Sequence, residues 1–167
     1  MRDAVARYLQ FLRVERNASD LTIKSYREDL TALADYLTEA RGGHCPTPGG
    51  VSPLELRGYV AALHEAGYAK STIARRLASM RSFFRFGQRE GWIDTNPAKP
   101  LRNPRKGRNL PHFLTGEEIG RLLQAPSPED LFGLRDRAIL ETMYSAGLRV
   151  SELVGLNLSD LDFEAGV

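Results

Sequence analysis

The stretch NPAKPLRNPRKGRNLP, residues 96–111, holds four prolines and five cations and no acidic residue. Proline lacks a backbone N–H and fixes φ, so neither a continuous helix nor a central strand runs through four of them at this spacing. The 167-residue chain is therefore expected to fold in two parts, a helical domain over 1–95 and a second part over 113–167, joined by a basic linker over 96–112. In an extended stretch, Lys99, Arg102, Arg105, Lys106 and Arg108 can track a phosphate backbone. A linker that is merely soluble is the plainer alternative.

Before this stretch the apolar residues keep a helical period. Val5, Tyr8, Leu9 and Leu12 form one stripe, and Ile23, Tyr26, Leu30, Leu33 and Leu37 form a longer one. GGHCPTPGGVSP then interrupts, with seven of residues 42–53 Gly or Pro. SPLE restarts a helix, with Ser52 as cap, Pro53 at the first position and Glu55 closing a capping box; it is expected to end near Gly67. A fourth helix opens at Lys70 or Ser71 and buries Ile73, Leu77, Met80 and Phe84. Four amphipathic helices over about 1–92 make a compact bundle. After the linker, TGEE at 115–118 and SPED at 127–130 read as helix caps. From Ala138 to Leu148 only Glu141 is charged, which predicts a helix buried in a core. LSDLDFEAGV reads as the start of a strand and a turn with no second strand. A lone strand is unstable, so the second part is expected to be cut short.

Charge is uneven along the chain. Residues 1–95 carry 14 Lys/Arg against 11 Asp/Glu, a net of +3; residues 113–167 carry four against ten, a net of −6. The basic first part and linker suit a polyanion partner. Nothing in the sequence reads as a membrane span or a signal peptide, and a single cysteine, Cys45, excludes an internal disulfide and a thiolate zinc cage. The expectation is a cytoplasmic protein with no metal and no cofactor.

Two features carry chemistry. At about 100° per residue, Lys70, Arg75, Arg81, Arg85 and Arg89 of the fourth helix fall within roughly 140° of one another, opposite the apolar stripe. No acidic residue lies on that helix before Glu90, and Ser71, Thr72 and Ser82 can add neutral phosphate contacts. A solvated outer face is the bland alternative. The second feature is SAGLRVSEL, residues 145–153. Gly147 suits the left-handed position ending a helix; Arg149 opens the next turn, with Glu152 three residues on. An arginine at a helix start, where backbone N–H groups also face an anion, fits a phosphate. A purely structural Arg149–Glu152 pair fits the spacing equally well.

LRDRAILETMYSAGLRVSELVGLNLSDLD, residues 134–162, resembles the opening of the catalytic domain of the tyrosine site-specific recombinases, or phage integrase family. YLQFLRVERNASDLTIKSYREDL and STIARRLASMRSFFRFGQREGWIDTNPA resemble that family's amino-terminal core-binding domain. The likeness is strongest to the Xer subgroup and leans towards XerC-like members. It implies a mainly α fold: a SAM-like helical bundle, then the first helices of a truncated α+β catalytic domain. It implies double-stranded DNA as ligand, with Lys24 joining the contact candidates. Arg149 would match the first catalytic arginine, holding non-bridging oxygens of the scissile phosphate, and Glu152 the acidic residue that orients it. The parent reaction would cut and rejoin DNA at a specific site through a 3′-phosphotyrosyl link, as in chromosome dimer resolution. A partner recombinase would complete a heterotetramer.

The chain departs from that pattern after Arg149. Its six tyrosines, Tyr8, Tyr26, Tyr36, Tyr59, Tyr68 and Tyr144, all precede Arg149, whereas the family nucleophile follows it. No histidine or lysine follows Arg149 either; His44, His64 and His112 read as incidental. The chain alone is therefore expected not to cleave DNA. A stand-alone helical DNA-binding regulator, an integron or phage integrase, and a helical protein-interaction module are the alternatives.

Overall fold

The structure, a computed structural model, describes residues 1–104 and 112–161. It divides the chain into two compact units, Met1–Arg108 and Asn109–Val167. Every regular element among the described residues is helical.

The first unit contains α1 (Arg2–Val14), α2 (Asp20–Ala40), α3 (Pro53–Glu65) and α4 (Lys70–Arg89), with a 3₁₀ turn at Pro48–Gly50. The side chain of Ser19 caps α2 by accepting from the Thr22 N–H at 3.3 Å. Ser52 and Glu55 make the expected capping box on α3: the Ser52 hydroxyl accepts from the Glu55 N–H at 3.3 Å, and the Glu55 carboxylate from the Ser52 N–H at 2.8 Å. All four apolar stripes meet in one core. Tyr8, Leu37, Leu56, Ile73, Leu77, Met80, Phe83 and Phe84 are all fully enclosed there. Tyr8 stands edge-on to Phe83, and burial pushes its hydroxyl up to about 12.

The chain after α4 does not leave this core at once. Residues 96–112 read as an extended linker by composition, yet Pro97, Ala98 and Leu101 are buried, the last two in the core itself. Two short turns let the backbone pack there: Lys99 N–H donates to Asn96 O, and Leu101 N–H to Ala98 O. The Asn96 side chain accepts from the Ala98 N–H at 2.9 Å. Arg105, Lys106 and Arg108 lie outside the described residues.

The second unit contains α5 (Gly116–Gln124), α6 (Leu131–Ala146) and α7 (Val150–Val154). Thr115 and Glu118 form the capping box that TGEE predicts for α5. The cap of α6 is Asp130, whose carboxylate accepts from the Gly133 N–H at 2.7 Å, and not Ser127, whose hydroxyl instead takes the Glu129 N–H. Gly147 ends α6 with φ +63°.

Of the segment LSDLDFEAGV, the described part opens as a 3₁₀ turn at Leu158–Asp160, where the Asn157 N–H donates to the Asp160 carboxylate; residues 162–167, which carry most of the expected strand and its turn, lie outside the described residues. One expectation fails in this unit: α6 is not buried. Leu131, Phe132, Leu134 and Tyr144 stand well exposed, and Gly133 is the helix's one buried residue. Nine-residue α5 and five-residue α7 are too short to cover both sides of a sixteen-residue helix.

Candidate nucleic-acid interface

The cations of α4 share a face by spacing, but the structure gives them different work. Arg75 reaches across to α2, donating to the Asp29 carboxylate at 2.5 Å and to Ser25 O at 3.3 Å. Arg76, one residue on, donates to the Tyr59 hydroxyl at 3.0 Å and lies over the Tyr68 ring at 4.5 Å. Its Nε faces the other Asp29 oxygen at 3.6 Å, too long for a hydrogen bond; neither atom has another partner among the described residues. Asp29 is 1 % exposed. Burial pushes its carboxyl up, against the pull of the Arg75 and Arg76 charges.

Arg81 is also occupied, donating to Leu101 O at 2.5 Å and Asn103 Oδ1 at 2.9 Å. Arg89 lies over the Phe11 ring at 4.2 Å and pairs with Glu90 at 3.1 Å and Glu15 at 3.6 Å. These partners come from α1, α2 and the segment after α4, and helical spacing says nothing of them. Lys70 and Arg85 differ. Both are exposed and have neither ion pair nor side-chain hydrogen bond among the described residues. The same holds for exposed Ser71, half-buried Thr72, and exposed Lys24, Lys99 and Arg102.

Sequence reasoning missed Arg57 on α3. It lines one shallow groove with Arg102, over a floor of Val60, Pro100 and Leu101. No periodicity marks a lone arginine on a helix, and its neighbour arrives 45 positions later by tertiary folding. It missed Asp29 for the same reason: an acidic residue among polar neighbours gives no sign of burial.

In the second unit Arg149 is the residue before α7, with its side chain 82 % exposed. Glu152 accepts from the Arg149 backbone N–H at 2.7 Å and from its guanidinium at 2.9 Å. These two bonds, the backbone one foremost, hold the Glu152 carboxyl below its ordinary range. The pairing fixes the rotamer of Arg149 and leaves its other guanidinium N–H groups turned to solvent. No cluster of metal-ligating side chains occurs among the described residues. No described helix is long and apolar enough to cross a membrane.

Comparison with known proteins accounts for both units. Residues 5–91 match the phage integrase N-terminal SAM-like domain, and residues 112–167 match the phage integrase family. The chain is 44 % identical over 161 residues to the tyrosine recombinase XerC of Pelotomaculum thermopropionicum, covering 95 % of this chain and 53 % of that protein. It is 40 % identical to the XerC of Syntrophus aciditrophicus, over 100 % of this chain and 55 % of that one. The chain thus spans about half the length of the curated relatives it matches. Among solved structures, a lambda integrase(75–356) dimer bound to a COC′ core site superposes with a TM-score of 0.70 at 21 % identity, over 97 % of this chain and 55 % of that one, and shows the same fold. The Tn1549 transposon integrase in complex with circular intermediate DNA gives 0.67 at 25 % identity, over 96 % and 51 %. An amino-terminal SAM-like bundle followed by a match to the integrase family proper, with XerC recombinases as sequence relatives, identifies the chain as a member of the phage integrase family.

Proposed function

We propose that this chain binds duplex DNA as the core-binding half of a Xer-type tyrosine recombinase that works in the cytoplasm. Lys70, Ser71, Thr72 and Arg85 of α4 form the centre of the contact, joined by Lys24 and by the connector cations Lys99, Arg102, Arg105, Lys106 and Arg108. Arg75, Arg81 and Arg89 support it from behind, through their protein partners. The observation that carries the reading is that α4 bears no acidic side chain along its length, while Lys70 and Arg85 remain exposed without partners among the described residues. A cation that no protein carboxylate satisfies is free to displace counterions from a phosphate backbone.

In the parent reaction Arg149 grips non-bridging oxygens of the scissile phosphate and stabilises the charge that builds up in the transition state; Glu152 holds its rotamer. That reaction cuts and rejoins DNA through a 3′-phosphotyrosyl link, in a tetramer with a partner recombinase, and resolves chromosome dimers. All six tyrosines of the sequence precede Arg149, and Tyr8 and Tyr59 are enclosed in the core. The chain by itself therefore binds DNA and forms no phosphotyrosyl link.

The test is a salt titration of binding to a labelled duplex, followed by anisotropy. Each lost phosphate contact lowers the slope of log K against log salt by about 0.9. Arg85→Ala is expected to lower it by that amount, a loss of about threefold at low salt. An unchanged slope for the Lys70→Ala/Arg85→Ala double variant overturns the placement. A covalent adduct on a nicked suicide duplex overturns the inactivity.

A further inference from the structure

Arg81 sits in the middle of the basic stripe, yet both ends of this residue are spent on the connector. Its guanidinium donates to Leu101 O at 2.5 Å and to the Asn103 side chain at 2.9 Å, one residue on either side of Arg102. Its own carbonyl accepts from the Asn96 side chain at 3.0 Å, and Asn96 in turn holds the Ala98 N–H. Leu101 is 7 % exposed, so the backbone on the near side of Arg102 is fixed by packing as well. Arg102 itself is exposed and has no described partner; with Arg57 it lines the groove floored by Val60, Pro100 and Leu101. Two like charges facing one groove repel unless an anion lies between them. Among the described residues, no acidic side chain lines that groove.

From this bracket we infer that Arg81 is a positioning residue, not a phosphate ligand. It presents Arg102 beside Arg57 as a two-cation wall for a phosphodiester backbone. The inference rests on reading the first unit as a DNA binder. It adds Arg57 of α3 to the contact, and it reverses the role that spacing alone assigns to Arg81. A guanidinium suits the task because its rigid fork makes two bonds at once, which an ammonium does only loosely.

The test has two arms on the full chain. In the DNA arm, Arg102→Ala and Arg57→Ala each lower the salt slope by about 0.9. Arg81→Ala lowers it by the same amount, and adding Arg102→Ala to Arg81→Ala lowers it no further. Additive losses for those two, which would make Arg81 an independent ligand, overturn the inference, as does an unchanged slope for Arg102→Ala. In the second arm, without DNA, trypsin cleavage after Arg102 is followed in time. It is expected to quicken about tenfold in Arg81→Ala and to a smaller degree in Asn103→Ala, which removes one of the two grips without touching the core. The rate in Arg85→Ala stays at the wild-type value. Equal cleavage rates in all four proteins overturn the inference. If the unaltered chain binds no duplex at all, the DNA-binding reading fails with it; additivity alone defeats only the role of Arg81.

Discussion

Asp29→Ala is the perturbation that most directly tests how α4 is held. Its carboxylate lies 1 % exposed between Arg75 at 2.5 Å and Arg76 at 3.6 Å. Truncating one partner of a buried ion pair costs about 3–5 kcal/mol, because the other charge is left desolvated. Here the two partners differ. The Arg75 side chain is 41 % exposed and can swing back into water, while that of Arg76 is 14 % exposed and keeps the Tyr59 hydroxyl and the Tyr68 ring. Arg76 therefore loses a facing charge but no hydrogen bond, and the lower end of the range, about 3 kcal/mol, is expected. The assay is urea unfolding followed by the fluorescence of Trp92, the only tryptophan, which packs edge-on to Phe86 in the first unit. With a slope of about 1.5 kcal/mol per molar urea, the midpoint should fall by about 2 M. Asp35→Ala is the control. Its pair with Arg2 is exposed on both sides, so about 0.5 kcal/mol or less is expected. A midpoint shift for Asp29→Ala no larger than the control's would refute the argument that this carboxylate anchors α4 to α2. Asp29 does not make the unit acid-labile. Its folded carboxyl titrates above the ordinary 3.8, so the native state takes up the proton first, and this group favours folding more as pH falls through that window.

Two other expectations follow from the caps and turns. The Glu55 carboxyl is held below its ordinary 4.5, chiefly by the Ser52 N–H and also by Arg41, so its contribution is complete above pH 4.5 and is lost as pH falls through the lowered folded value. Glu55→Gln keeps an acceptor for the capping box but not the charge. It should cost about 1 kcal/mol at pH 7 and less at pH 3, read as urea midpoints at the two values. In the second unit a Cβ on Gly133 would fall on the Ser127 carbonyl, backbone that cannot swing aside. Gly133→Ala should break the Asp130 cap and cost about 1–3 kcal/mol of local stability, seen as faster amide exchange over residues 131–135.

How far the fold is legible depends on how far apart the cooperating residues lie. The four helices of the first unit are written locally, in stripes such as Ile23–Leu30–Leu37 and in the Ser52–Glu55 box, and they stand where the sequence puts them. The burial of Ala98 and Leu101 is not written locally. Proline-rich composition describes a chain that avoids regular hydrogen bonding, and it is silent on whether turns fold that chain onto a helix 15 or 20 residues earlier. The α6 prediction fails in the opposite direction. An apolar run shows what a helix would cover if neighbours were present, and among the described residues α5 and α7 are too small to be those neighbours. The Arg149–Glu152 pair is local, three residues apart, and its geometry follows from the spacing.

The basic stripe shows how spacing alone overstates the number of unpartnered cations on a helix face. Five cations share one face by angle, and three of them, Arg75, Arg81 and Arg89, are engaged with α2, the connector and α1 respectively. Those engagements still bear on the proposed DNA contact. Binding loses affinity when helices or side chains must be ordered at the moment of contact. Arg75 ties α4 to α2 at its amino-terminal half, Arg81 ties its middle to residues 101–103, and Arg89 lies over the Phe11 ring near its end. Three points along a twenty-residue helix fix its axis before any phosphate arrives. The ordering cost then falls on the side chains of Lys70 and Arg85 and no longer on the helix. On the proposed reading, the arginines held by protein partners set the affinity of the exposed cations that would meet phosphate. Removing the Asp29 tie, which positions no proposed phosphate ligand directly, should weaken DNA binding while leaving the salt slope intact, whereas removing Arg85 lowers the slope itself.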